Sequence, residues 1–318
     1  MVILVISTTI DPASIGPASA LLAMPGWHPG PSLEDDIPSF VHGEGRVRLV
    51  QHSNSIVEED DLDKRWEAAT GEVVDEVIFL SKHKAASNKP ALTIHPIGIP
   101  HLNEGEVPLA GGKPGWAAPP NPRMGSWLRR LKTIANNHNL LPEFEITLEA
   151  THHGPIINVP TMFLEIGSTE EHWPRQDAAQ VMALLVCEGL GLGGSPDIGN
   201  WSGNNSGKNK VLFGIGGGHY VPRHMDIVMK KDCVWVGHLI SGYALPMEED
   251  TSALKDGGVG GNWRKSITVS FEATKSAFPG GEIIAHLDHK SFKGWQKNAI
   301  VSFLVESNIK VGKPNDFN

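Results

Sequence analysis

Residues 2–9, VILVISTT, are almost wholly β-branched or aliphatic, and one residue separates them from Asp11-Pro12. A run of that composition buries both of its faces, as an inner strand of a parallel sheet does. Asp11 is a helix cap, and Pro12 fits the first helical position, where its missing N–H is no loss. The helix is predicted to run to about Met24. A strand that feeds at once into a helix opens an α/β layer fold. The rest of the chain keeps the alternation. Strands are expected at 46–50, 77–80, 92–95, 143–151, 161–166, 211–215, 234–239 and 283–287. Helices are expected at 124–138, 176–188, 263–278 and from a cap at Ser291. The 161–166 strand is the expected partner of 143–151. Residues 25–45, 100–122 and 248–262 read as loops, and 196–209 as a linker. The acidic run 58–63 reads as a solvated helix start. The whole is one mixed α/β unit, a twisted sheet flanked by helices, with a smaller lobe allowed after about residue 196.

Composition narrows the function. Of 318 residues, 40% are hydrophobic and 20% charged, which excludes a disordered chain. Two cysteines, Cys187 and Cys233, and no CxxC exclude a disulfide scaffold and a thiolate zinc finger. Both fall in apolar segments and read as inert core. A reducing compartment is the expected setting. Net charge −9 excludes a protein that coats nucleic acid by bulk charge, though not a local basic groove. No apolar run approaches the roughly 20 residues of a membrane span. The N-terminus has no basic flank or small-residue cleavage site and reads as a core strand.

Fifteen histidines direct the search for chemistry. The sequence Glu149-Ala-Thr-His152-His153-Gly154-Pro155 ends a strand with two imidazoles, where open α/β sheets bind ligands. Histidine there serves as general base or metal ligand; a turn-stabilising pair is the plainer reading. Gly216, Gly217 and Gly218 follow a strand and lead into His219, Tyr220, Arg223 and His224. Such glycines let a ligand approach the backbone and offer N–H groups to an anion. A tight turn is the alternative, and the pattern is not GxGxxG. His286-Leu-Asp288-His289-Lys290 resembles the end of a di-metal HxHxDH motif without its first ligand. His95 and His238 also sit at strand ends. Glu145, Glu149 and Glu165 alternate through two strands, placed either to support a histidine or metal or to face solvent. HExxH, GxSxG and GxxxxGK[ST] are absent. The expected active edge gathers His152, His153 and His219 with at least one of His95, His238, His286 or His289.

Taken together, DPASIGPASALLAMPGW (11–27), WEAATGEVVDEVIFLSKH (66–83), EITLEATHHGPIIN (145–158), PTMFLEIGSTEEHW (160–173), GIGGGHYVPRHMDI (214–227), GHLISGY (237–243) and HLDHKSFKGWQK (286–297) resemble the plant and archaeal type of D-aminoacyl-tRNA deacylase, the GEKO family. The resemblance spans nearly the whole chain. It implies hydrolysis of the ester between a D-amino acid and the 3′ end of tRNA, including aldehyde-modified substrates. It also implies a fold like those of phosphorylases and peptidyl-tRNA hydrolases, a zinc cofactor, and a cytoplasmic setting that extends to the nucleus. No membrane and no obligate protein partner is expected.

An activated ester needs a positioned water and a group for the developing oxyanion. On this reading His152, His153 and His219 do the chemistry. Gly216–Gly218 N–H groups, Tyr220, Arg223, Lys290 and Lys293 hold the substrate. Glu149, His238, His286, Asp288 and His289 are the candidate metal ligands. Residues 208–231 carry net charge +4 and residues 288–313 net +3, a local basic face on which Lys208, Lys210, Arg223, Lys230, Lys231, Lys290, Lys293 and Lys297 meet phosphates. Two other classes fit the same residues: a metallohydrolase of a small ester or amide, and a non-catalytic binder of tRNA or nucleotide.

Overall fold

The computed structural model describes residues 1–34, 37–43, 45–201, 209–249 and 259–318. In chain order its elements are β1 (Val2–Thr8), α1 (Pro12–Leu22), β2 (Trp27–Pro29), β3 (Ser39–His42), β4 (Val47–His52), α2 (Leu62–Thr70), β5 (Val74–Lys82), β6 (Ala91–His95), α3 (Met124–Asn137), β7 (Glu145–Leu148), β8 (Thr161–Gly167) and α4 (Gln176–Gly189). Then come β9 (Lys210–Ile215), α5 (Pro222–Lys230), β10 (Trp235–Ile240), the two-residue strands β11 (Glu248–Glu249) and β12 (Val259–Gly260), α6 (Trp263–Ala277), β13 (Glu282–Leu287), α7 (Gly294–Glu306) and β14 (Lys310–Val311).

The apolar first strand lies in the middle of an eight-stranded sheet, ordered β2-β3-β4-β1-β5-β8-β6-β7. All seven of its residues are buried, and it pairs in parallel with β4 and β5. The pleat divides them: Ile3 and Val5 join Leu21, Trp127, Met182 and Val186 in one core, while Leu4 and Ile6 join Trp66, Phe79 and Phe163 in another. Each such side chain taken fully from water contributes about 1.5–3 kcal/mol. Asp11 caps α1 by accepting from Ala13 N–H at 3.0 Å, and its other oxygen accepts from Lys82 N–H at 3.0 Å, tying the helix start to the end of β5. A second sheet, β10-β9-β13-β14, is all parallel. Leu212, Val236 and Leu239 of this sheet pack into the first core, so the two sheets share apolar contacts. Mixed α/β architecture with flanking helices is what the strand–helix alternation demanded.

Several expectations fail in detail. Strand β7 pairs with β6 and not with β8, because β8 has β5 along one edge and β6 along the other. The presumed loop 25–45 holds the short antiparallel strands β2 and β3, of which β2 is the sheet edge. Helix α7 starts at Gly294 with Lys293 before it, not at a Ser291 cap; Ser291 Oγ instead accepts from Gly217 N–H at 2.7 Å. Cys233 is exposed, not core, and Cys187 is half-buried. Of the linker 196–209, residues 202–208, including Lys208, lie outside the described residues, as do 250–258 of the loop 248–262. Among the described residues no helix is long and apolar enough to cross a membrane.

Candidate functional site

Four neighbouring strands, β5, β8, β6 and β7, bring one titratable side chain each to one face of the large sheet. Residues two apart on a strand share a face. Ser81 and Thr93 both pair with Glu165 of β8. His83, two beyond Ser81, and His95, two beyond Thr93, therefore project on the Glu165 side. Glu149 follows β7 at the level of His95, its N–H donating to Ile94 O at 3.1 Å. His83 Nδ1 lies 3.1 Å from Glu149 Oε1 and 3.5 Å from Glu165 Oε2. His95 Nε2 lies 3.6 Å from Glu165 Oε1.

The second sheet completes the cluster. Ala150 N–H donates to His219 O at 2.8 Å and Thr151 N–H to Leu239 O at 2.7 Å, so the segment after Glu149 is the seam between the sheets. His219 Nε2 then comes within 2.7 Å of Glu149 Oε2, and His152 Nε2 within 3.5 Å. His152 and His219 rings are 4.6 Å apart, and His95 and His152 rings 4.2 Å. His153 stands edge-on to His95 at 4.9 Å with φ of 25°. That backbone angle is uncommon for a side chain other than glycine, and such strain clusters at functional sites.

These atoms are close without being paired. Both Glu149 oxygens, Glu165 Oε1, His95 Nε2 and His219 Nε2 are buried, and none has an aligned hydrogen bond among the described residues. The 2.7 Å approach of His219 to Glu149 is thus off the ring N–H axis, and alignment decides the matter against a hydrogen bond. Orphaned buried polar atoms are costly, and an ion or water is the usual explanation. Three overlapping groups place their ligand atoms within 4.8 Å of one another: His83, Glu149 and His219; His95, Glu149 and Glu165; His95, His152 and His153. Two imidazoles and a carboxylate form a donor set of catalytic zinc, so the residues present fit that metal.

Electrostatics divide the imidazoles into two kinds. Burial by itself lowers His83, but the Glu149 and Glu165 carboxylates beside it overcome this and push the ring up to about 10. His95 is raised on the same balance, burial against Glu165. Burial, and then the charge of His95, holds His152 well below the ordinary imidazole range and His153 at about 4. Burial disfavours charge on Glu149, yet His219 and His83 hold it well below the usual carboxylate range. At neutral pH the centre therefore holds ionised carboxylates, protonated His83 and neutral His152 and His153.

Two cavities reach this centre, one at His219 and the other at His152 and His153. One, about 630 Å³, is lined by Lys84, Ser87, Gly217, Gly218, His219, Tyr220, Asp288 and Lys290. The other, about 610 Å³, opens on His152 and His153 from beneath residues 99–111. In the glycine turn, Gly216 has φ of 99°, and a Cβ there would stand 2.9 Å from the Phe292 ring. Its N–H donates to Ile240 O at 2.7 Å, and Gly217 N–H donates to Ser291. The expected anion cradle of three N–H groups is thus reduced to that of Gly218.

The structure separates the other candidates from this centre. His238 Nε2–H donates to Ala118 O at 2.8 Å. Thr151 Oγ1 accepts from Leu239 N–H and donates to His238 Nδ1 at 2.9 Å, so neither ring nitrogen is free for metal. His286 Nδ1, on β13 of the second sheet, meets His224 Nδ1 of α5 at 2.9 Å. Asp288 accepts from Lys290 N–H and pairs with Arg223 at 3.1 Å. His289 is exposed and belongs to no metal-holding group among the described residues. Of the five expected ligands, only Glu149 joins such a group. Arg223 faces a separate recess with Lys230, Lys231 and His286. Lys290 lines the first cavity; Lys293 is exposed at the start of α7. Glu145 is exposed, at the far end of β7 from Glu149. The residue missed from sequence is His83. It carried the same signal as the others, a histidine directly after a strand.

A mixed α/β fold with a carboxylate–imidazole centre between two cavities defines a site for proton transfer or metal holding at a sheet seam. The family model described as D-aminoacyl-tRNA deacylase matches residues 70–312. A D-aminoacyl-tRNA deacylase of Arabidopsis thaliana is 68% identical, with all of both chains covered. One of Thermococcus kodakarensis is 31% identical over 77% of this chain and 82% of its own. The chain belongs to the D-aminoacyl-tRNA deacylase family. A crystal structure of a conserved protein of unknown function, 24% identical, shares the fold with a TM-score of 0.73 over 99% of this chain and 96% of that one.

Proposed function

We propose that the chain hydrolyses the ester between a D-amino acid and the 3′ end of tRNA, with Glu149, His83, His152 and His219 at the reacting centre. The observation that carries the assignment of residues is the convergence of those side chains beside two cavities, with both Glu149 oxygens and His219 Nε2 unpaired among the described residues. His152 Nδ1–H donates to Ala150 O at 2.7 Å, which fixes the tautomer and leaves Nε2 as the proton acceptor. Water loses a proton to that nitrogen as its oxygen attacks the carbonyl carbon. The bond to the ribose oxygen then breaks, that oxygen takes the proton back, and the free amino acid and tRNA leave.

His83, protonated on both nitrogens, donates to Tyr220 Oη at 2.9 Å. Burial keeps the Tyr220 hydroxyl protonated far above neutrality, and it lines the first cavity as a donor toward the developing negative charge. His83, Glu149 and His219 are the residues that would hold zinc, His83 then as a neutral ring that has given up its second proton, and the ion would supply Lewis-acid charge and a lowered water pKa. The terminal adenosine enters the first cavity over Gly217 and Gly218, beside Lys84 and Lys290. Preceding phosphates run over Pro222 to the recess, about 410 Å³, of Arg223, Lys230 and Lys231.

Deacylation of matched D- and L-aminoacyl-tRNA by the wild-type chain and by Glu149→Gln tests the reading. Release from the D-substrate alone, lost in the variant, is the expected result. Elemental analysis alongside tests zinc. Turnover of small esters but of neither aminoacyl-tRNA would show a general esterase instead.

A further inference from the structure

One imidazole in the recess beside α5 takes no part in the chemistry above. Arg223, Asp226 and Lys230 recur at helical spacing on one face of α5 and line that recess with Lys231 and with His286 of β13. The lining sets three cations against one carboxylate. Lys230 lies 3.5 Å from Asp226, and Arg223 lies 3.1 Å from Asp288. His286 is 8% exposed, and His224 behind it is fully buried. The two rings fit because β9 carries Gly214 opposite His286, where an added Cβ would stand 2.9 Å from the His224 ring.

Hydrogen bonding fixes the protons of this pair. Gly216 O can only accept, so the proton of His224 sits on Nε2, 3.2 Å away. Burial keeps His224 neutral, at about 3, so its Nδ1 is bare. The contact of 2.9 Å between the two Nδ1 atoms then needs the proton of His286 on Nδ1. A neutral His286 therefore turns a bare Nε2 to the recess, with no hydrogen bond among the described residues. Burial holds this ring below the ordinary imidazole range; Asp288 opposes that, and His289 and Arg223 reinforce it. The C-terminal turn meets it with the Phe317 ring, centroids 6.5 Å apart. A bare acceptor among Arg223, Lys230 and Lys231 is mismatched until an anion enters, and beside an anion the same nitrogen gains from a proton.

We propose that His286 is a proton-linked contact for a phosphate of the bound tRNA: as the phosphate enters the recess, Nε2 takes a proton from solvent and donates it to a phosphate oxygen; this rests on the deacylase reading above. The phosphate supplies the negative charge that a second proton on the ring requires. His286 Nδ1–H keeps its bond to His224, and His224 Nε2–H keeps its bond to Gly216 O. Two hydrogen bonds thus join the recess to the glycine turn under the terminal adenosine, and charge on His286 strengthens both.

The test is binding of deacylated tRNA at fixed salt between about pH 6 and pH 8, around the ordinary imidazole value. Backbone phosphodiesters do not titrate there. Because binding takes up a proton, wild-type affinity is expected to fall as pH rises, by up to about tenfold per pH unit between the free ring's titration and the bound ring's. His286→Gln should flatten that dependence. Nitrogen-15 NMR of the wild-type chain makes the test independent of how the variant folds: His286 Nε2 should change from the bare to the protonated shift when tRNA is added at neutral pH. Equal pH dependence in the two chains, or an Nε2 that stays bare in the complex, overturns the contact. A wild-type chain that neither binds tRNA nor cleaves D-aminoacyl-tRNA overturns the deacylase reading and the contact with it.

Discussion

His83 and Glu149 stand 3.1 Å apart, Nδ1 to Oε1, with side chains 2% and 0% exposed. They come from the ends of strands at opposite sides of a four-strand block, with β8 and β6 between. A charged imidazole in so buried a place exists because two carboxylates face it, and each carboxylate stays ionised because imidazoles face it. Breaking one member disturbs all of them.

Glu149→Gln keeps the shape and removes the charge. Activity on D-aminoacyl-tRNA is expected to fall by about 10²–10⁴, the range for loss of positioned acid–base function. His83, raised to about 10 in the wild type, should titrate lower in the variant by NMR. An unchanged His83 titration would show that Glu165 alone sustains it.

The pH–rate profile follows from His152. Its neutral form persists below the ordinary imidazole range because burial and His95 disfavour its charge. kcat/KM should therefore hold as pH falls through about 6.5, the unperturbed value, and drop only under more acid conditions. An acid limb centred on about 6.5 assigns the proton acceptor elsewhere.

Stability is expected to decline in acid through buried neutral imidazoles, including two remote from the reacting centre. Burial holds His224 at about 3 and His238 at about 4, against 6.5 for an exposed ring. Between those values the unfolded chain binds protons that the folded chain does not, so stability rises with pH and is lost as pH falls below 6.5. The limiting slope is about 1.4 kcal/mol per pH unit for each ring. Urea unfolding at pH 7 and 5 measures it, and His238→Gln should flatten the slope.

Gly216→Ala asks a side chain to adopt φ of 99° and to push against Phe292. A loss of about 1–3 kcal/mol or more in stability is expected. The displaced turn should also weaken tRNA binding. A variant as stable as the wild type would show that the turn can shift.

Arg223→Glu and Lys290→Glu test the phosphate path. Each should lower tRNA affinity and reduce the slope of log K against log salt by about one contact. Cleavage of a minimal aminoacyl-adenosine ester should survive Arg223→Glu, because Arg223 lies in the outer recess.

The apolar strand 2–8, the Asp11-Pro12 helix start and the helices at 124–137 and 176–189 were legible as local patterns, since propensity, capping and periodicity act over a few residues. The histidines at 152, 153 and 219 were legible because a polar cluster after a strand points to a sheet edge. Pairing was not legible: nothing local says that β7 borders β6 and not β8, since hydrogen-bond partners are set by the order of strands across the sheet. Nor could sequence choose among histidines with one signature. His95, His238 and His286 all end strands. Tertiary structure gives His95 to the carboxylates, ties His238 between Thr151 and Ala118, and buries His286 against His224. His83, Glu165, His95 and Glu149 become one site only because β5, β8, β6 and β7 are neighbours with the same pleat phase, and that phase is fixed by long-range packing of the core on both faces of the sheet.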